Sequence, residues 1–196
     1  MGVQRLQTFL RKNKIGEKHT LSYFKDKKTI IDGDSVSFYF FESLNSSMIF
    51  GGEFKLLRQK IEYFLQYFIN NNLNVSVIFD GIPPEEKLKT IMERRRTKSI
   101  KVKKWWKKLY DKTIFFNYTE EIPINYPCLI RRIFVDVLRN LNIKIIHSRG
   151  ENDDEIVSRI QNKEYDLVIA KDTDFLIYDI PIYVPINYIS IEKNKM

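Results

Sequence analysis

Four short apolar runs, each followed by acidic residues, constrain this chain more than any other feature. "KTIID" (28–32) ends on Asp32, and "NVSVIFDG" (74–81) carries Asp80 just past its apolar stretch. "IKIIH" (143–147) leads through a short loop to Glu151 and Asp153, and "DLVIA" (166–170) runs into Asp172 and Asp174. Runs of this length, rich in β-branched residues, predict buried strands. "IYVPI" (182–186) is a candidate fifth.

Helical patterns lie between them. In "EFKLLRQKIEYFLQYFINNN" (53–72), Phe54, Leu57, Ile61, Phe64, Leu65 and Phe68 recur at helical spacing, and the Asn run is a helix stop. Leu129, Ile130, Ile133, Phe134, Val137, Leu138 and Leu141 form a second stripe, and Val3, Leu6, Phe9 and Leu10 mark a short first helix. "ENDDEIVSRIQN" opens another helix with acids in its first turn. Strands alternating with helices predict an α/β fold, a mostly parallel sheet covered on both faces.

In a parallel sheet all strand carboxyl ends share one edge, where ligands bind. Asp32, Asp80, Glu151, Asp153, Asp172 and Asp174 are therefore predicted to converge from four separate pieces of chain. Any one of them has an ordinary explanation as a turn residue or helix cap. Four strand ends doing the same thing do not. Two like charges ~4 Å apart repel by about 4 kcal/mol at an effective dielectric near 20. A cluster of six needs protons, neighbouring cations or a hard divalent ion such as Mg²⁺, which prefers carboxylate oxygen. His19 and His147 stand alone, each read as structural, and no His or Cys cluster suits zinc. The single cysteine, Cys128, allows no intramolecular disulfide.

The net charge is +8, and one segment accounts for it: Glu85 to Lys112 holds twelve Lys or Arg against Glu85, Glu86, Glu93 and Asp111. Pro84 stands where a helix would start. A solvated helix face would explain such a run, but charge this concentrated suggests a polyanionic partner. No apolar run approaches the roughly 20 residues of a membrane span, and the N-terminus lacks the apolar block of a secretory signal. No membrane association is expected, and the setting is nuclear or cytoplasmic. Acids on a sheet edge beside a basic helix suggest phosphodiester hydrolysis. Two metals roughly 3.5–4 Å apart can activate a water and stabilise the leaving oxygen, while the basic helix holds flanking phosphates.

"MGVQRL", "IIDGDS", "VIFDGIPPEEKLKTIMERRR", "GENDDEI" and "AKDTDF" resemble, in order, the signatures of the flap-endonuclease superfamily, a PIN-like nuclease fold. "FGGEF", "YPCLIRRIFVDVL" and "DTDFLIYDIPIYVPINYISI" are similar to its Asteroid branch. The resemblance covers nearly the whole chain and is weakest over 98–125. It implies a single PIN-like nuclease domain over 1–196, with a basic helical arch-like segment at about 84–112. It implies that Asp32, Asp80, Glu151, Asp153, Asp172 and Asp174 hold two Mg²⁺ or Mn²⁺ ions. Lys87 and Arg94, seven residues apart and so on one helix face, match the residues that contact the scissile phosphate. Gly2 matches a glycine near the active site. Arg95, Arg96, Lys98, Lys101, Lys103, Lys104, Lys107 and Lys108 are then expected to guide single-stranded substrate, DNA rather than RNA. Flap endonucleases carry a further Asp and a helix-hairpin-helix that grips duplex DNA, and these 196 residues include neither. Asp34 is an extra acid, read as a turn residue.

Two other readings compete. "TIIDGDSV" resembles the nucleophile motif of haloacid-dehalogenase-type phosphatases, with Asp32 as nucleophile and Asp34 as acid–base, but that leaves "VIFDG" and "GENDDEI" without a role. The second is a catalytically silent nuclease-fold scaffold that binds nucleic acid through the basic helix and Trp105–Trp106. A pure binder gains nothing from six acids near phosphates, so the expected activity is metal-dependent, structure-selective cleavage of flaps, overhangs or single strands.

Overall fold

The computed structural model describes residues 6–44, 53–111, 127 and 129–190. Gly2, most of "FGGEF", Lys112 and Cys128 lie outside them, as does all of the 115–127 stretch except Pro127. Five strands, β1 (Lys28–Asp32), β2 (Asn74–Phe79), β3 (Lys144–His147), β4 (Leu167–Ala170) and β5 (Tyr183–Pro185), form one sheet in the order β3-β2-β1-β4-β5. Every pairing is parallel. Among the described residues the α-helices are α1 (Leu6–Lys12), α2 (Gly33–Glu42), α3 (Phe54–Asn70), α4 (Glu85–Tyr110), α5 (Leu129–Asn140) and α6 (Asn152–Gln161).

The apolar runs of β1, β2 and β4 are buried because helices cover both faces, whereas β3 and β5, at the edges of the sheet, are only half-buried. On one face Ile31, Val77 and Ile169 join Leu57, Ile61, Phe64 and Leu65 of α3 and Ile130, Phe134 and Leu138 of α5. On the other, Ile30, Ile78 and Val168 meet Ile156, Val157 and Ile160 of α6. The stripe predicted for α3 is the buried one, whereas Leu129, at the first turn of α5, is half exposed. Asn72 and Asn142 end their helices in the left-handed region at φ 59° and 53°, a conformation Asn tolerates. α2 was not anticipated. Its Val36, Phe40 and Phe41 are buried, and it packs against both α3 and α5.

The strand order places the site. From β1 the chain steps outward to β2 and β3, then returns across the sheet to β4 and β5. The direction reverses between β1 and β4, the crevice where open parallel sheets bind ligands. Asp32 ends β1, and Asp172 and Asp174 follow β4, one on each side of that crevice. α4 stands apart. Among the described residues it shares no extensive packing with any other element.

Candidate metal and nucleic-acid site

Side chains alternate along a strand, so Asp32 points to the face of Ile30, which α6 covers. There it is 4% exposed, and it caps α2: its Oδ1 accepts from the Ser35 N–H at 3.1 Å. The same oxygen accepts from Asn152 Nδ2 at 2.8 Å. Asn152, also 4% exposed, donates its backbone N–H to Asp80 Oδ1 at 2.9 Å. One residue at the start of α6 therefore bridges the carboxylates that end β1 and follow β2. Burial raises the Asp32 pKa, against the bonds from Ser35 and Asn152.

The loops after β2 and β3 are pinned together at Gly81, whose N–H donates to the Gly150 carbonyl at 2.8 Å and lies 3.0 Å from Ser148 Oγ. A Cβ on Gly81 would stand 2.0 Å from the Ser148 carbonyl oxygen, so no larger residue fits there without a shift. This junction brings Glu151 and Asp153 to the edge that holds Asp80. The loop after β4 is tied in by the Lys171 N–H, which donates to Ser35 Oγ at 3.1 Å, and by the Lys171–Glu42 ion pair. The Asp174 N–H donates to Asp172 Oδ1 at 3.2 Å.

Asp153 reports how closely these acids gather. Burial first, then the charges of Asp32, Asp172, Asp80 and Glu151, push its carboxyl up to about 7. Four of the other five expected acids thus act on Asp153, and the remaining one, Asp174, is tied to Asp172 by its backbone N–H. Their donors are all oxygen, which suits a hard divalent cation. Among the described residues, however, no three acids stand in a ready-made ligand set. Protein donors already hold several of them: Asn152 on Asp32 and Asp80, and Lys87 on Glu151. The Tyr183 hydroxyl is buried without a hydrogen-bond partner. Burial, with Asp172 and Asp32 nearby, raises its pKa.

Lys87, in the first turn of α4, makes an ion pair with Glu151, and that bond is the main reason its pKa is raised. Arg94 is exposed two turns further along and has no ion pair among the described residues. Lys87, Ile91, Lys98, Val102 and Trp105 form the half-buried stripe of α4. Lys98 therefore departs from the expectation of an open surface cation. Burial lowers its pKa while Glu42 at the end of α2 opposes that. Arg95, Arg96, Lys101, Lys103, Lys104, Lys107 and Lys108 are exposed, as expected for a basic face. Trp105 is half-buried and Trp106 exposed, their rings edge to face at 5.4 Å.

Sequence reasoning missed two residues and undervalued a third. Asp34 is no plain turn residue: its Oδ2 accepts the Asp80 N–H at 2.7 Å. Burial, opposed by that bond and by Arg131, brings its carboxyl to about 6. Asn152 and Arg131 carried no local signal, because their partners lie 72 and 51 positions away along the chain.

No protein-family model matches the chain. It is 26% identical to Protein asteroid of Drosophila melanogaster over 83% of its length and 18% of that protein's. To Single-strand DNA endonuclease ASTE1 of Danio rerio it is 24% identical, covering 92% of this chain and 24% of the relative. Flap endonuclease 1 of Methanococcus aeolicus is 27% identical, with 92% and 56% covered. The chain thus spans between about a fifth and just over half of these relatives' lengths. Among solved structures, the catalytic core of Rad2 in complex with DNA substrate has a TM-score of 0.63 at 14% identity, covering 98% of this chain and 52% of that one. Flap endonuclease-1 from Methanococcus jannaschii scores 0.60 at 20% identity, with 94% and 59% covered. The Holliday junction-resolving enzyme GEN1 with product DNA and Mg²⁺ scores 0.52 at 12% identity, with 94% and 36% covered. These likenesses show the fold.

Proposed function

We propose that this chain, a sequence relative of Asteroid proteins and flap endonucleases, is the nuclease portion of a divalent-metal-dependent enzyme that cleaves DNA at flaps, overhangs or single-stranded regions. One observation carries the reading: acids from four strand ends press on Asp153 at the point where the sheet reverses direction. The names of the relatives, which include a single-strand DNA endonuclease and a flap endonuclease, support it.

Asp32, Asp80, Glu151, Asp153, Asp172 and Asp174 would hold the cations, two in number, directly or through water. Bound there, divalent ions supply Lewis-acid stabilisation of the phosphate and lower the pKa of an attacking water. Lys87 stays protonated through Glu151 and offers its ammonium where charge develops on the attacked phosphate, with Arg94 beyond it. The exposed lysines and arginines of α4 contribute sequence-independent attraction to the backbone of the strand. The Asn152 bridge keeps Asp32 and Asp80 in register.

A second reading, a DNA-binding scaffold that does not cut, is favoured by the absence of a ready-made ligand set among the described residues. Labelled flap, overhang and single-stranded DNA incubated with Mn²⁺ or with EDTA separates the two. Cleavage that EDTA abolishes supports the nuclease; retained binding with intact DNA in both supports the scaffold.

A further inference from the structure

Both peptide groups that flank the Asp80 Cα are gripped by side chains from elsewhere in the chain. On the amino side, the Asp80 N–H donates to Asp34 Oδ2 at 2.7 Å. On the carboxyl side, the Asp80 carbonyl accepts from an Arg131 terminal nitrogen at 2.7 Å. The two gripping residues also face each other, with Arg131 Nε 3.7 Å from Asp34 Oδ1. The guanidinium lies over the Phe79 ring at 4.9 Å, and Phe79 is fully buried. That ring is itself boxed in, since a Cβ on Gly33 would fall 2.5 Å from it.

Holding the two peptide planes around one Cα fixes its φ and ψ, and so fixes the direction of its Cα–Cβ bond. Both holds are charge-assisted, roughly twice as strong as neutral hydrogen bonds. The Asn152 N–H on Asp80 Oδ1 then sets the carboxylate itself. The acid is therefore oriented from α2, α5 and α6 at once. A turn requirement would explain neither the Arg131 contact nor the partner chosen by Asp34.

We infer that Asp34 and Arg131 are positioning residues that aim the Asp80 carboxylate by clamping its backbone. The inference rests on the reading of Asp80 as a cation-holding acid. Neither residue touches the substrate or the cation. What the site needs from Asp34 is an acceptor oxygen for the Asp80 N–H, and what it needs from Arg131 is a planar guanidinium that donates to the Asp80 carbonyl while its charge faces Asp34. Groups in such a supporting shell change metal affinity by about 10- to 100-fold when removed.

The test compares Asp34→Asn, Asp34→Ala, Arg131→Lys and Arg131→Ala in the full chain. Two readouts are independent of cleavage: hydrogen exchange of the Asp80 amide without metal, and Mn²⁺ binding followed by electron paramagnetic resonance. Asp34→Asn keeps an acceptor oxygen, so amide protection and Mn²⁺ affinity stay within about threefold of wild type. Asp34→Ala and both Arg131 variants weaken Mn²⁺ binding about 10-fold or more, and Asp34→Ala speeds Asp80 exchange at least as much, while amides of α3 stay protected. Should an Ala variant fail to fold, the contrast between Asp34→Asn and Arg131→Lys stands. The clamp is overturned if Asp34→Asn loses as much Mn²⁺ affinity as Asp34→Ala, which would make Asp34 a ligand. It is equally overturned if Asp34→Ala leaves Asp80 exchange unchanged. A wild type that neither binds Mn²⁺ nor cuts DNA refutes the proposed function, and the Asp80 amide then decides the clamp alone.

Discussion

The carboxylate edge and helix α4 are both crowded with like charge, yet the protein treats them in opposite ways. At the edge, three of the acids are drawn into a network: Asp32 under Asn152 and Ser35, Asp80 between Asp34 and Arg131, Glu151 against Lys87. On α4, most of the cations face water, and among the described residues the helix packs little against the body. Buried like charge is costly and persists only where donors or cations compensate it. Exposed like charge costs little because solvent and salt screen it. The difference teaches a division of labour: the edge is built for placement, and α4 for long-range attraction. The Lys87–Glu151 ion pair joins them.

The most severe way to break this contrast is to empty one region of its function while sparing the other. Asp172→Asn lowers cleavage by about 10³-fold or more, since one member of a unit disables the unit, while DNA affinity stays within about threefold. Gel-based cleavage and fluorescence anisotropy on one DNA read both. Loss of affinity equal to the loss of cleavage would erase the distinction.

Replacing Lys103, Lys104, Lys107 and Lys108 by Gln does the reverse. The slope of log affinity against log salt becomes shallower by about 0.7 for each single-strand phosphate that is no longer neutralised. Turnover at saturating DNA is unchanged, because these side chains lie beyond the acids. An unaltered slope would mean that DNA does not lie along α4.

Gly81→Ala sharpens the comparison through stability. Its Cβ would collide with the Ser148 carbonyl, and overpacking of this kind costs about 1–3 kcal/mol. For a chain of this size each kcal/mol lowers Tm by about 2–4 °C. A comparable substitution on the open face of α4, Ser99→Ala, leaves Tm within about 1 °C by the ordinary behaviour of surface sites.

The smallest effect is electrostatic. The folded-state pKa of Asp153, about 7, lies above its ordinary value of 3.8. The folded protein therefore holds this proton more tightly than the unfolded chain. Stability falls as pH rises from about 4 to 7, and the penalty is complete above 7. Without divalent ions, Asp153→Asn raises Tm at pH 8 by a few degrees and reduces the decline between pH 5 and pH 8. Thermal melts in EDTA check it, and a wild-type Tm that climbs with pH over that range contradicts it.

Much of the fold was legible because its signals are local. Each strand is a dense apolar run, α3 and α5 carry regular stripes, and α4 declares itself by charge. The acids could be grouped because a parallel sheet sends every strand's carboxyl end to one edge. α2 was not legible: "GDSVSFYFFE" is rich in Ser, Val and aromatics, which favour helix weakly, and its apolar residues run together. Asp34, Arg131 and Asn152 were not legible for another reason. Each acts on Asp80, and only the folded sheet brings them within 3 Å of it. Lys98 could be counted as a cation from sequence, but its half-buried position and the Glu42 charge that acts on it come only from the fold.

The most direct test of the central claim is calorimetric titration of metal-free protein with Mn²⁺, wild type beside Asp172→Asn. Saturable binding in the wild type, weakened at least about 10-fold by the substitution, is the predicted result. A wild type with no saturable binding, or binding equal in both proteins, would contradict the assignment of this edge as a cation site.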